Sequence, residues 1–377
     1  MNIAFYAPLK PVDHPVPSGD RQLARALLRA LAAGRHDVAV ASRLRSYDAH
    51  GDTARQARIA RIGARCAQRL LARWQADRAH PDLWFTYHLH HKAPDWLGPA
   101  VCRALDIPYV VAEASIAPRQ HDGAWAQGYA SSVAAIEAAD AVIFVNPHDV
   151  PAVQRVRGVR AADLQLAPFI DIDAFVGTGT RAAPVSPPRA GRVRLACVAM
   201  MREGAKLASY RLLAHALAAL DALDWDLVVV GDGPARAAVE GAFAGLARDR
   251  IHFAGALDAA GVTTTLRSAD VFVWPAVDEA FGMAFIEAQA CGLPVVAGNA
   301  GGVAAVIDAG RSGLLVAPGD APAFAAAVRR LVTDDTLRAA MAAHAPGYVR
   351  ARHDLPVAAR ALDATLRGVA AARARLR

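Results

Sequence analysis

The sequence predicts an α/β chain of two Rossmann-like, doubly wound domains, and three observations carry that expectation. Short apolar runs alternate with longer amphipathic stretches, the pattern of parallel strands joined by crossover helices. The alternation stops once, in a segment rich in Pro, Gly, Ser and Thr, and then begins again. The chain has 377 residues, more than one ordinary hydrophobic core organises.

Taken in order, the apolar runs Asn2–Ala7, Asp37–Ala41, Leu83–Thr86, Tyr109–Ala112 and Ala141–Val145 read as the strands of a first domain, 1–175, with helical stretches between them. The segment from Asp52 to Ala79 reads as one long helix. Ile59, Ile62, Cys66, Leu70 and Trp74 fall on one face, and Arg58, Arg61, Arg65 and Arg69 on a neighbouring one. Residues 176–191, with no large apolar cluster, are the expected linker. The second domain, 192–350, has expected strands at Arg194–Ala199, Asp226–Val230, Ile251–Phe253, Val271–Trp274, Pro294–Ala297 and Leu314–Val316. The last stretch, 351–377, is helical and able to cross back to the first domain.

Apolar residues make up 54% of the chain, so core material is plentiful, and the charge of +7 is spread along it with a local excess of arginine between Arg55 and Arg78. Cys66, Cys102, Cys197 and Cys291 are far apart and form no Cys-x-x-Cys pair. The start, Met1-Asn-Ile-Ala-Phe-Tyr-Ala-Pro8, lacks a charged region before its short apolar run and reads as a strand rather than a signal peptide. No apolar stretch approaches the ~20 residues that span a bilayer. These features lead us to expect a cytoplasmic protein with reduced thiols. Membrane contact would be peripheral, through the basic helix 52–79, for which a packed helix with a solvated arginine face is the competing reading. The same arginines lack the interleaved aromatics or reader motif of a nucleic-acid surface.

Chemistry concentrates around Glu279 and Glu287, which frame the turn Phe281-Gly282 and are separated by seven residues. Val271–Trp274 reads as a buried strand and Met283 to Ala290 as a helix stopped by Gly292-Leu-Pro294. At about 100° per residue, eight positions return Glu287 to the side of Glu279, so both carboxylates are expected to face one crevice. Gly282 presents no Cβ to a ligand, and the free amides at the start of the helix favour an anion. Carboxylates for hydroxyls and amides for phosphate together suit a nucleotide sugar. Gly231-Asp-Gly-Pro234 lies between an expected strand and helix, either as a ligand loop or as a plain tight turn. It lacks the third glycine of a dinucleotide fingerprint. Arg202 and Lys206 follow the first strand of the second domain, where a cationic pair neutralises a diphosphate leaving group; two solvated charges are the alternative. Asn299-Ala-Gly301-Gly302 follows a further strand and is expected to open a helix.

The run from Gly231-Asp-Gly-Pro234 through Glu279-x7-Glu287, Ala290-Cys-Gly-Leu-Pro-Val-Val296, Gly301-Gly302 and Gly313-Leu-Leu-Val316-x-x-Gly319-Asp320 resembles the donor domain of the family-4 retaining glycosyltransferases. The resemblance implies the GT-B fold, two Rossmann-like domains facing a central cleft, with the acceptor held by the first domain and the donor by the second. It implies that Glu279 and the amides of Phe281, Gly282 and Met283 bind the donor sugar and phosphate, and that Glu287 binds the ribose. It implies a diphosphate role for Arg202 and Lys206, although Leu207 stands where the family has a glycine after that lysine. Gly231 and Gly233 are carried over as donor-binding. Gly19, in Pro17-Ser-Gly19-Asp20-Arg21, matches the family's glycine-rich loop facing the donor phosphate and the acceptor, with Asp20 beside it on the acceptor side. Where the family more often has a histidine near the reacting sugar, this chain has Glu113. That role falls either to Glu113 or to a histidine of Tyr87-His88-Leu-His90-His91-Lys92, with His91 the acceptor-side candidate. The resemblance also implies no metal cofactor, and Asp171-Ile-Asp173 then reads as structural. The expected activity is retaining transfer of a sugar from a UDP- or GDP-sugar to an acceptor hydroxyl in cell-surface polysaccharide or glycolipid synthesis. A nucleotide-sugar epimerase and a non-catalytic carbohydrate-binding protein on the same fold are the rival readings.

Overall fold

The computed structural model of the protein describes residues 1–16, 18–176, 191–279 and 281–376. The expected linker 176–191 therefore lies almost wholly outside the described residues, as do Pro17 and Ala280. Two compact units emerge, one of Met1–Leu166 with Leu355–Arg377 and one of Ala167–Asp354.

The first unit is built on β1 (Asn2–Tyr6), β2 (Asp37–Ser42), β3 (Leu83–Leu89), β4 (Tyr109–Ala114), β5 (Ala141–Phe144) and β6 (Leu164–Gln165). They form one parallel sheet in the order β2-β1-β3-β4-β5-β6. Helices cover both faces of such a sheet, so β5 reads Ala-Val-Ile-Phe and every residue in it is buried. The two-residue β6 is too short to leave a periodic signal, and the sequence did not disclose it. The helix Thr53–Ala76, capped by Asp52, buries Ile59, Gly63, Ala67 and Leu70, while Arg55, Arg58, Arg61, Arg65, Arg69 and Arg73 remain exposed. Its apolar face thus belongs to the core of its own unit. Behind β3, the buried Asp95 accepts hydrogen bonds from Thr86 Oγ1 (2.5 Å), Tyr109 Oη (3.0 Å) and the amides of Leu97 and Gly98 (both 2.8 Å). These bonds fix the chain just beyond His90 and His91.

The helix Leu355–Ala374 buries Leu362, Leu366 and Val369 in this same unit, and Arg373 pairs with Asp106 and Asp140. Asp354, one residue earlier, belongs to the second unit, where its carboxylate accepts from the Ile172 amide. The segment 167–175, placed in the first domain by sequence, likewise packs with the second. The Ile170 amide bonds His353 O (2.9 Å), and Ile170 and Ile172 join the second core. Both interactions link residues far apart in sequence, which local pattern does not reveal.

The second unit has β7 (Val193–Val198), β8 (Trp225–Val230), β9 (Ile251–Gly255), β10 (Val271–Trp274), β11 (Val295–Gly298) and β12 (Gly313–Val316), parallel in the order β12-β11-β10-β7-β8-β9. Its core includes Trp225, Phe272, Phe285 and Phe324, all fully buried. The expected helix after Gly301-Gly302 is replaced by one short turn, Val303–Ala305. The chain must return within a few residues to pair β12 beside β11. It does so with turns held by Ser312 Oγ, which donates to Gln289 Oε1 (2.6 Å). No helix among the described residues is long and apolar enough to cross a membrane.

Candidate functional site

In a doubly wound sheet the strand order reverses direction at one point, and the loops leaving the C-terminal ends of the two strands there part to form a crevice. In the second unit that point lies between β7 and β10. The loop after β7 contains Arg202, which is exposed and makes no ion pair among the described residues. It ends at Gly204 (φ +78°), which opens the helix Ala205–Ala218 and puts Lys206 in the first turn. The loop after β10 leads to Glu279. Lys206 Nζ and Trp274 Nε1 (3.1 Å) both donate to Glu279 Oε2, so residues from the two loops meet across the switch point. The Lys206 ammonium also lies 5.4 Å from the Trp274 ring centroid, and Tyr210 packs edge-on against that ring.

The loop carrying Glu279 is held in an unusual conformation. Ala276 (φ +57°) and Asp278 (φ +51°) are both left-handed, a state that costs non-glycine residues roughly 1–3 kcal/mol each and persists only where the surroundings impose it. Ser209 Oγ imposes part of it by accepting from the Val277 amide (2.9 Å). The helix Met283–Ala290 begins at Gly282 with no capping side chain, which leaves its first amides available to a ligand. Glu287 lies within that helix, half-buried, and its carboxylate makes no hydrogen bond among the described residues. Burial alone pushes its carboxyl up to about 7.

The glycines divide into two kinds. A Cβ on Gly231 would sit 1.9 Å from Ala199 O, and one on Gly233 2.2 Å from Met201 O, so close packing of the loops after β7 and β8 already demands both. Gly282 has the same kind of internal reason, because a Cβ there would strike the Phe285 ring at 2.4 Å. Gly19 differs, since a Cβ there would meet nothing within 4 Å.

In the first unit the order reverses between β1 and β3. After β1, Ser18 caps the helix Gly19–Ala33 and Asp20 stands in its first turn. Asp20 Oδ1 meets His88 Nδ1, on β3, at 2.5 Å. His88 is therefore the histidine that Asp20 engages. His91 instead packs edge-on against Trp125 (5.8 Å), its Nδ1 buried and without a hydrogen-bond partner among the described residues, and burial lowers its pKa. The sequence singled out His91 only as one of a cluster. The better signal was position, since His88 lies on the strand beside the switch point.

Glu113 lies on β4 level with His88, between the register pairs Tyr87–Ala112 and Leu89–Ala114. Its Oε2 accepts from the amides of Val145 (3.2 Å) and Asn146 (3.3 Å). Burial raises the Glu113 pKa, while the nearby His88 and these amides oppose the shift. Burial also works against a charged His88, but the hydrogen bond and charge of Asp20, with Glu113 and Asp149 behind it, hold its pKa above the usual value. His90 is driven down to about 3, first by burial and then by His88, His91 and Lys92. Among the described residues no group of three or more His, Cys, Asp or Glu is arranged to hold a metal.

Comparison with known proteins matches residues 192–334 to the family described as Glycosyl transferases group 1. D-inositol 3-phosphate glycosyltransferase of Corynebacterium jeikeium is 48% identical over 82 residues, which cover 22% of this chain and 20% of that protein. The chain thus matches only a fifth of that relative's length. Sucrose-phosphate synthase from Thermosynechococcus elongatus superposes with a TM-score of 0.69 at 20% identity, over 98% of this chain and 99% of the other. Anabaena HepE in complex with UDP-glucose gives a TM-score of 0.66 at 18% identity, over 98% and 100%. Residues 192–334 are thus similar to a glycosyl transferases group 1 domain, and the chain has the fold of the GT-B glycosyltransferases.

Proposed function

We propose that the protein is a retaining glycosyltransferase of family-4 type that moves a sugar from a UDP- or GDP-sugar to an acceptor hydroxyl. The observation that carries this reading is the Lys206–Glu279 contact at the switch point of the second unit, with Arg202 on the loop after β7 and Glu287 on the uncapped helix after β10. A diphosphate leaving group needs permanent positive charge, supplied here by Arg202 and Lys206. Glu279 and the amides beside Gly282 take the donor sugar and phosphate, and Glu287 takes the ribose hydroxyls. Gly231 and Gly233 shape the loop beneath the donor through their packing on Ala199 and Met201. Gly19, with open space at its Cα, lets a phosphate approach the backbone.

In this mechanism the acceptor proton passes to a leaving-group oxygen on the same face of the sugar, and neither a protein nucleophile nor a metal is required. Glu113 stands near the reacting sugar. The first unit holds the acceptor, a saccharide or lipid-linked saccharide of the cell surface, with Asp20 and His91 on that side. The chain works in the cytoplasm at the inner membrane face. The exposed arginines of the helix Thr53–Ala76 give an anionic bilayer an electrostatic contact without insertion, and salt should release the protein from phosphatidylserine vesicles.

The test is a thermal-shift screen of nucleotides and nucleotide sugars, followed by transfer to a lipid extract. Glu287→Ala should weaken UDP or GDP binding, and Glu279→Ala should chiefly lower transfer. Unchanged transfer in both variants would remove the site assignment, and an epimerised donor without transfer would favour the epimerase.

A further inference from the structure

Resting on the glycosyltransferase reading, we infer that His88 and Glu113 form a sugar-binding pair in the first unit that recognises two vicinal hydroxyls of an uncharged pyranose. The two residues occupy the same register level on adjacent parallel strands, and both adopt left-handed backbone angles, φ +62° at His88 and +56° at Glu113. A local break in a strand re-aims its side chain, and here two neighbouring strands break together next to the switch point between β1 and β3. Both side chains are therefore turned out of the regular ladder at the crevice where a doubly wound sheet takes its ligand.

Each side chain is anchored at one end and open at the other. His88 Nδ1 is held by Asp20, and no described residue hydrogen-bonds Nε2. Glu113 Oε2 is held by two amides, and no described residue hydrogen-bonds Oε1. Adjacent strands lie about 4.8 Å apart, so these two open side-chain ends stand on neighbouring strands at one level, within reach of neighbouring hydroxyls of one sugar ring. Asp20, Glu113 and Asp149 set carboxylates around the His88 imidazole, and the neighbouring His90 ring, 5.1 Å away, is held uncharged by burial. An anionic group on the sugar held by His88 and Glu113 is repelled by these carboxylates, whereas neutral hydroxyls are accepted, and a phosphate at Gly19 meets the backbone at the helix start instead. Asp20 acts through His88 as a positioning residue. The diol belongs either to the donor's sugar or to the acceptor's, and kinetics separate the two.

The experiment titrates the full-length chain, saturated with UDP or GDP, with methyl glucoside, methyl mannoside and methyl galactoside, and with glucuronic acid and glucose 6-phosphate, by saturation-transfer NMR. The expected result is binding of at least one neutral glycoside, at least tenfold tighter than either anionic sugar. His88→Gln and Glu113→Gln should each weaken that binding roughly ten- to hundredfold, with melting temperature and nucleotide affinity unchanged. Glu113→Gln should also narrow the neutral-over-anionic preference, which a purely structural role would leave alone. Asp20→Ala should weaken binding and Asp20→Asn partly restore it. In a transfer assay, a rise confined to the acceptor KM assigns the diol to the acceptor, and one confined to the donor KM assigns it to the donor. Equal sugar binding in both variants, tighter binding of an anionic sugar, or no neutral binding by a chain that still binds UDP or GDP would overturn the inference alone. A chain that binds no nucleotide loses the glycosyltransferase reading and this inference together.

Discussion

The two sheets of this chain reverse direction at different places, and both reversals are bridged by an acid and a base. In the second unit, where the first strand lies beside the fourth, Lys206 meets Glu279. In the first, where the first strand lies beside the third, Asp20 meets His88. The difference lies in the cation. Lysine carries a permanent charge at neutral pH, as a diphosphate requires, whereas histidine ringed by carboxylates makes a directional hydrogen-bonding group better suited to hydroxyls. Strain is also distributed differently. Among the described residues, the second unit has its left-handed non-glycine residues in the loop after β10, whereas the first, besides Arg35, Arg78 and Asp106 at helix ends, has two at the ends of β3 and β4. In one unit the left-handed backbone shapes a loop, while in the other it bends the sheet itself.

The largest expected effect tests the permanent charge. Lys206→Met should lower transfer by roughly 10²–10³ while leaving sugar binding by the first unit intact. A comparable loss of first-unit sugar binding would mean that the two switch points do not act separately. The glycines sharpen the same contrast. Gly231→Ala should destabilise the protein by about 2–3 kcal/mol in urea unfolding, because its Cβ has no room beside Ala199 O.

Glu287 provides a pH test confined to the second unit. Its folded pKa of about 7 lies above the ordinary 4.5, so folding favours the protonated acid. That contribution is complete below pH 4.5 and is lost as the pH rises through about 7. Between pH 5 and 8 the wild type should therefore lose stability relative to Glu287→Gln, by at most roughly 3 kcal/mol, as measured by denaturant midpoints across that range. Parallel pH curves for the two proteins would show that burial does not raise this carboxyl. The smallest expected effect is at Gly19→Ala, where open space predicts a stability change within about 0.5 kcal/mol. Any weakening of nucleotide or sugar binding in that variant then reports a ligand close to the backbone rather than a damaged fold.

Much of this was legible in the sequence, for reasons particular to each element. Val271–Trp274 and Met283–Ala290 were readable to the residue, because a buried strand and a helix stopped by Gly and Pro carry their limits locally. The repeated alternation gave the two doubly wound units. Gly231-Asp-Gly233 was left open between a ligand loop and a tight turn, and only the position of the Ala199 and Met201 carbonyls shows that packing demands both glycines. The turn after Gly301 was read as a helix because glycines at a strand end look alike whether a helix or a bare return follows.

The sequence by itself determined every strand but β6, that the strands form two series, and that carboxylates, cations and glycines gather after the strands of the second. Local periodicity and residue chemistry encode such features, and neither depends on distant partners. Only the tertiary structure decided the order of strands in each sheet, the assignment of 167–176 to the second unit and of the last helix to the first, and the partnerships Lys206–Glu279 and Asp20–His88. Each of these joins residues tens to hundreds of positions apart, and sheet topology, which brings such residues together, leaves no periodic trace in the chain.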